Sequence, residues 1–248
     1  MARWAHWLGS WEAQQHALLP GREERFSLIC AAVATGCGTQ PRVLDLGSGP
    51  GSLALRVARS LPAAEVVAVD RDPVLLEIGR RALVRRPQVS FADRDLGDPL
   101  LPELGSGFDA AVSSTALHWL DRAALATLYR SLARMLRPGG LFLNADHLPG
   151  SEGQIAELIR GLEHGAEERR PDPAPSGPRS WDGWWTIAEG APELAEAVAE
   201  RRRREHRHPQ RGVPLSLEQH QDALRDAGFA EVGCLWQRLN DRILVAIR

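Results

Sequence analysis

Trp4, Trp7, Leu8 and Trp11 recur at three- and four-residue intervals, the spacing of a helix with one apolar face, and predict a helix from Trp4 to Leu19. Pro20-Gly21 breaks it, and a second helix is expected from about Glu23 to Ala34. The period then changes. Arg42 to Leu46 is a short apolar run that reads as a buried strand, a glycine-rich turn follows, and helical spacing returns from Leu53 to Ser60, closed by Pro62. Glu65 to Asp70 is the next strand, Pro73 to Val84 the next helix and Gln88 to Ala92 a third strand. This βαβαβ alternation calls for a parallel sheet covered by helices on both faces.

Phe108 to Ser113 continues the pattern as a fourth strand, Ala123 to Leu136 as a helix, and Leu141 to Ala145 as a fifth strand after an Arg137-Pro138-Gly139-Gly140 turn. Beyond His147 the alternation stops. Residues 149–214 are rich in Pro, Gly and Arg, carry Trp181, Trp184 and Trp185, show no strand pattern, and read as an inserted cap. Order returns with a helix from Ser216 to Ala227, started by Ser216 and Glu218 and ended by Gly228. Glu231 to Gln237 and Arg242 to Ile247, separated by a short turn near Asn240-Asp241, form an antiparallel hairpin. The expected architecture is α/β: a seven-stranded, mostly parallel sheet with an antiparallel C-terminal hairpin, helices on both faces and a cap. Its divisions are 1–40 (N-terminal helices), 41–148 with 215–248 (core) and 149–214 (cap).

A chain of 248 residues, 44% hydrophobic and 25% charged, suits one such domain with an insertion. The formal charge of −2 removes the global basic field that draws proteins to phosphate backbones, which argues against a nucleic-acid partner. Cys30, Cys37 and Cys234 form no Cys-x-x-Cys pair and no His-Glu-x-x-His occurs, so neither a disulfide framework nor a metal site is indicated. No apolar run has signal-peptide or membrane-span length, so an unprocessed cytoplasmic protein, monomer or homodimer, is expected.

The turn after the first strand, Gly47-Ser48-Gly49-Pro50-Gly51, brings backbone N–H groups and a helix N-terminus against a ligand. Asp70 ends the second strand, 19 positions beyond Gly51, where a carboxylate accepts hydrogen bonds from ribose hydroxyls. Turn and acid together point to an adenosine nucleoside. The spacing Asp45-x-Gly47-x-Gly49-x-Gly51 resembles the first motif of class I S-adenosylmethionine-dependent methyltransferases rather than the Gly-x-Gly-x-x-Gly of dinucleotide enzymes. The likeness continues through Phe91-Ala92-Asp93 and through Ala116-Leu117-His118-Trp119, which is similar to small-molecule members of trans-aconitate and ubiquinone-biosynthesis type. It implies a Rossmann-like fold, S-adenosylmethionine as cofactor with S-adenosylhomocysteine as product, and no metal. It further implies cofactor roles for Asp45, Gly47, Ser48, Gly49, Gly51, Asp70 and Asp93, with Arg71 over the adenine and Arg94 and Ser113 at the flanking strand ends. In such relatives an arginine of the N-terminal helices pairs with the methionine carboxylate; Arg22 and Arg25 are the candidates.

Methyl transfer is an in-line displacement that gains most from positioning, and a histidine is the natural acceptor of the proton that a hydroxyl must lose. His118 and His147 both fall just beyond strand ends and are the candidate bases, with Asp146 either orienting His147 or solvated. Trp119, Trp181, Trp184 and Trp185 are candidate walls for a small-molecule acceptor, an aromatic or polyketide-like metabolite of secondary metabolism methylated at oxygen; the other reading of the cap tryptophans is that they dock the cap and the N-terminal helix onto the core. The alternatives are a small carboxylate acceptor, a nicotinamide-dependent oxidoreductase, a non-catalytic cofactor-binding protein and an RNA methyltransferase. The last rests on the run Arg201 to His208 alone, which reads better as a solvated helix face.

Overall fold

The computed structural model describes residues 2–99, 101–150, 152–170, 176–205 and 215–248. Its strands are β1 (Arg42–Leu46), β2 (Glu65–Asp70), β3 (Val89–Asp93), β4 (Phe108–Ser114), β5 (Leu136–His147), β6 (Glu231–Arg238) and β7 (Asp241–Ile247). They form one sheet in the order β3-β2-β1-β4-β5-β7-β6, with β7 antiparallel to both of its neighbours and every other pairing parallel. The winding reverses between β1 and β4, so a crevice opens at the carboxyl ends of those two strands, where sheets of this kind bind ligands.

Helices α2 (Arg22–Cys37) and α3 (Ser52–Ser60) cover one face of the sheet through Phe26, Ile29, Val33, Leu53 and Val57. Helices α5 (Arg122–Met135) and α9 (Leu217–Asp226) cover the other through Leu128, Tyr129, Leu132 and Leu224. Helix α4 (Pro73–Ala82) starts at Asp72, whose side chain accepts hydrogen bonds from the amides of Val74 and Leu75. Ser216 caps α9, and its reciprocal partner is Gln219, three positions into the helix, rather than Glu218.

The Arg137-Pro138-Gly139-Gly140 segment, expected as a turn, belongs to β5. The pairing of β4 with β5 shifts register between Phe108 and Ala110, and Gly139 takes φ +74°, so the turn residues are absorbed as an irregularity at the start of a long strand.

Three helices fill the described part of the insertion: α6 (Gln154–Glu168), α7 (Trp181–Glu189) and α8 (Ala195–Glu205). Residues 206–214, with the end of the arginine-histidine run, lie outside the described residues. The N-terminal helix α1 (Ala2–Leu18) packs with α4, α7 and α8 in a third apolar cluster containing Trp7, Trp11, Val74, Leu75, Ile78, Trp184, Trp185 and Val198. Trp184 lies at its centre, 5.0 Å from Trp11 and 5.9 Å from Trp7 ring to ring, and its indole N–H bonds to Ser10 Oγ. The tryptophans therefore join the chain's first helix to its insertion above α4, on the β2 side of the crevice.

Candidate active site

The floor of the crevice is the turn from β1 to α3. The amides of Gly47 and Ser48 both donate to Val69 O, at 2.8 and 3.0 Å, which stitches the turn to β2. Gly47 has φ +66°, and a Cβ there would lie 2.3 Å from the Cβ of Ala116, so only glycine lets the β4 loop close against the turn. Gly51 has a packing role: its missing Cβ leaves room for Phe91 at 2.9 Å, and it does not face the cavity.

Asp45 is 1% exposed and accepts the amide of Ala54 at 2.9 Å, tying the first turn of α3 to β1; burial pushes its carboxyl up to about 7. Asp70 stands in register with Asp93 on the adjacent strand, so two carboxylates end side by side. The amides of Gly49, Arg71 and Asp72 donate to Asp70 at 2.7–2.9 Å, yet burial still pushes it up to about 6. These three donors leave Asp70 less acceptor capacity than a free strand-end carboxylate would offer.

A cavity of about 1340 Å³ opens above this floor and is lined by Gly47, Ser48 and Gly49, by the acids Asp45, Asp70 and Asp93, and by side chains of the N-terminal helices and the insertion. At its β3 end the structure departs from a solvated arginine face. Arg204 of α8 holds both oxygens of Asp93 at 2.8 and 2.9 Å, and Arg201 bonds to Asp72 at 2.8 Å while stacking 3.8 Å over Trp185. Both arginines line the cavity. The reason is geometric: α8 lies against α4 and directs one side of the run at the strand-end acids. Arg71, expected over a base plane, pairs with Asp95 at 2.7 Å. Arg94 lines the cavity, while its amide donates to Asp70 O at 3.0 Å and its guanidinium to Asp93 O at 2.9 Å.

At the N-terminal side Arg22 is buried and lines the cavity, but it grips Glu12 at 2.9 and 3.4 Å instead of standing free for a carboxylate ligand. Arg22 and Arg56 together hold Glu12 down at about 2, outweighing the effect of its burial. Arg25 turns away toward Asp241, 3.9 Å distant. Trp11, Gln15, Leu18, Leu19 and Phe26 complete this wall. Trp181 and Trp185 reach the cavity from α7; Trp184 does not, because the indoles of Trp7, Trp11 and Trp185 enclose it.

At the β4 end, Ser113 is withdrawn from the cavity, its hydroxyl donating to Leu46 O at 2.8 Å; Ser114, Thr115 and Ala116 line it instead. The Ser114 hydroxyl is buried there with no hydrogen-bond partner among the described residues. His118 lines the cavity with Trp119, and its Nδ1 lies 2.8 Å from Asp146 Oδ1. Asp146 is 1% exposed and also accepts the amides of His118 and His147. It thus orients His118 rather than the His147 ring. His147 stays outside the cavity, facing Asp241 at 3.6 Å, and that carboxylate raises its pKa.

Among the described residues no three His, Cys, Asp or Glu side chains gather as a metal site, and no helix is long and apolar enough to cross a membrane.

Residues 43–140 match the model of a family described as "Methyltransferase domain". Mouse acetylserotonin O-methyltransferase is 33% identical over 164 residues, covering 61% of this chain and 41% of that protein. Demethylmenaquinone methyltransferase of Thermus thermophilus is 36% identical over 122 residues, covering 48% of this chain and 53% of that protein. The chain therefore spans about half the length of these relatives. Among solved structures, human N-acetylserotonin methyltransferase in complex with S-adenosylmethionine superposes with a TM-score of 0.54 at 16% identity, covering 96% of this chain and 56% of that one. At that identity the likeness is one of fold.

Proposed function

We propose, from the premise that this chain carries a class I S-adenosylmethionine-dependent methyltransferase domain, that it methylates a hydroxyl of a small, planar or aromatic acceptor. The observation that carries the reading is that His118, held by the buried Asp146, lines the same cavity as the glycine turn. Residues 1–40 and the described part of 149–214 supply its covering walls, and the core is 41–148 with 215–248.

The residues present suit the cofactor. Acids at the ends of β1, β2 and β3, a turn closed to any side chain at Gly47, and an unpartnered Ser114 hydroxyl offer what a cationic, hydroxyl-rich nucleoside requires. Gly47, Ser48 and Gly49 would hold the amino-acid moiety, Asp70 the ribose and Asp93 the base. S-adenosylmethionine supplies an electrophilic methyl group on its sulfonium. A carboxylate only accepts hydrogen bonds, so Asp146 fixes the proton of His118 on Nδ1 and leaves Nε2 bare. Nε2 would take the acceptor's hydroxyl proton as the oxygen–carbon bond forms and the methyl–sulfur bond breaks, its electron pair going to the sulfur of the departing S-adenosylhomocysteine, and Asp146 would hold the resulting imidazolium. The walls exclude water and set the approach angle, which provides most of the acceleration.

The likeness to acetylserotonin O-methyltransferase supports oxygen as the methylated atom and an aromatic acceptor. Incubation with methyl-tritiated S-adenosylmethionine and a panel of phenols should label a phenol ether. Label appearing only on carboxylates, or on nothing, overturns the reading. The three free thiols agree with action in a reducing cytoplasm.

Cofactor affinity should depend on pH. Burial favours protonated Asp45 and Asp70, with values of about 7 and 6, whereas a bound cation favours their ionised forms. Affinity for S-adenosylmethionine should therefore rise from about pH 5 to about pH 8 and level off above. Titration calorimetry in buffers of different ionisation enthalpy should show proton release near pH 6; proton uptake there would contradict the assignment.

A further inference from the structure

The contacts of Arg204 leave little unassigned. Its Nε–H goes to Glu200, one Nη1–H to Arg71 O and the other to Asp93 Oδ1, and one Nη2–H to Asp93 Oδ2, all at 2.8–2.9 Å. A guanidinium has five N–H donors, so one Nη2–H remains without a partner among the described residues. Beside it, Asp93 Oδ2 keeps an unused lone pair. The backbone amide next in line, that of Arg94, is already spent on Asp70 O.

One free donor adjacent to one free acceptor complements the edge of adenine, where a ring nitrogen accepts and the exocyclic amine donates. Hypoxanthine presents the reverse pattern on that edge. We propose that Arg204 and Asp93 act as one unit that reads the cofactor's base, so that α8 of the insertion, and not β3 alone, sets the preference for adenine; this rests on the methyltransferase reading above. Arg201 seats the unit by fastening α8 to Asp72 and to the face of Trp185. The run Arg201 to Arg204 thereby divides in two: Arg201 and Arg204 face the crevice, while Arg202 and Arg203 are exposed and pair with Glu189 and Glu200.

The test is calorimetric binding of S-adenosylhomocysteine and of its deaminated analogue, S-inosylhomocysteine, to the full chain. The wild type should prefer the adenine compound by about tenfold or more, and Arg204→Ala should bind it about tenfold more weakly and lose most of the preference. Arg202→Ala, on the exposed side of the helix, should match the wild type. Arg204→Lys keeps the charge beside Asp93 without the planar fork, so it should stay folded and still lose the preference, which covers the case in which the alanine variant unfolds. Unchanged affinity and unchanged preference in Arg204→Ala or Arg204→Lys overturn this inference alone. Failure of the wild type to bind S-adenosylhomocysteine overturns the cofactor reading beneath it.

Discussion

Replacing His118 by alanine should lower kcat for methyl transfer by about 10³-fold, within the range that removal of a positioned general base costs. The dissociation constant for S-adenosylhomocysteine should stay within about twofold of the wild type, because His118 stands at the β4 end of the cavity, away from Asp70 and Asp93. Asp146→Asn sharpens the test. Its side chain can offer an N–H to Nδ1, which moves the ring proton to Nε2 and removes the base without removing the ring. A loss comparable to that of His118→Ala is expected, with cofactor affinity preserved. Steady-state kinetics together with calorimetry separate the two quantities. If His118→Ala retains kcat within about threefold, positioning alone accounts for the acceleration, and the His118–Asp146 pair is structural.

Gly47→Ala should cost roughly 2–4 kcal/mol of stability, the sum of a left-handed backbone imposed on alanine and an overpacked contact. The contact is specific: the new methyl would sit 2.3 Å from the Cβ of Ala116, across the seam between β1 and β4. Removing that partner offers a direct check. The double variant Gly47→Ala, Ala116→Gly relieves the clash but keeps the backbone strain, so it should recover more than half of the loss in thermal or denaturant unfolding. An equal loss in single and double variants would place the whole cost in the backbone and remove the steric explanation. Cofactor affinity in the single variant should fall along with stability, since the turn it distorts also carries the Gly49 amide bonded to Asp70.

The sheet was legible in the chain because most strands are short apolar runs closed by a turn residue, and because the helices between them keep amphipathic spacing; seven strands were expected and seven are observed, in β3-β2-β1-β4-β5-β7-β6 order, with β5 starting at Leu136 rather than Leu141. The glycine turn and Asp70 were legible for a different reason: a tight turn under a ligand leaves few residue types available at each position. The side-chain pairings were not. Glu12 meets Arg22, Asp146 meets His118 and Arg204 meets Asp93 across separations that no local pattern encodes, and in each case a residue weighed by itself is defined by a partner from another element. Charge in the run Arg201 to Arg204 looked like solvation because spacing within a helix shows which residues share a side and not what that side faces. The tryptophans of the insertion admitted two readings, a wall for the acceptor and a dock for the N-terminal helix, and Trp181 and Trp185 do line the cavity. Their apolar area signals a wall, but only the packing of α1 on α4 and α7 shows that Trp184 is spent on joining helices.

The position of that tryptophan cluster bears on the order of events in turnover. The β2 side of the crevice is roofed by α1, α7 and α8, whereas the β4 side runs out to solvent past Trp119, which is 51% exposed, and Asp121. On the proposed function, the donor would lie behind this packed roof and the acceptor on the side where Trp119 stands exposed among the described residues. If the proposed function holds, ordered kinetics are expected, with the donor binding before the acceptor and the demethylated cofactor leaving last, and product-inhibition patterns would check that order.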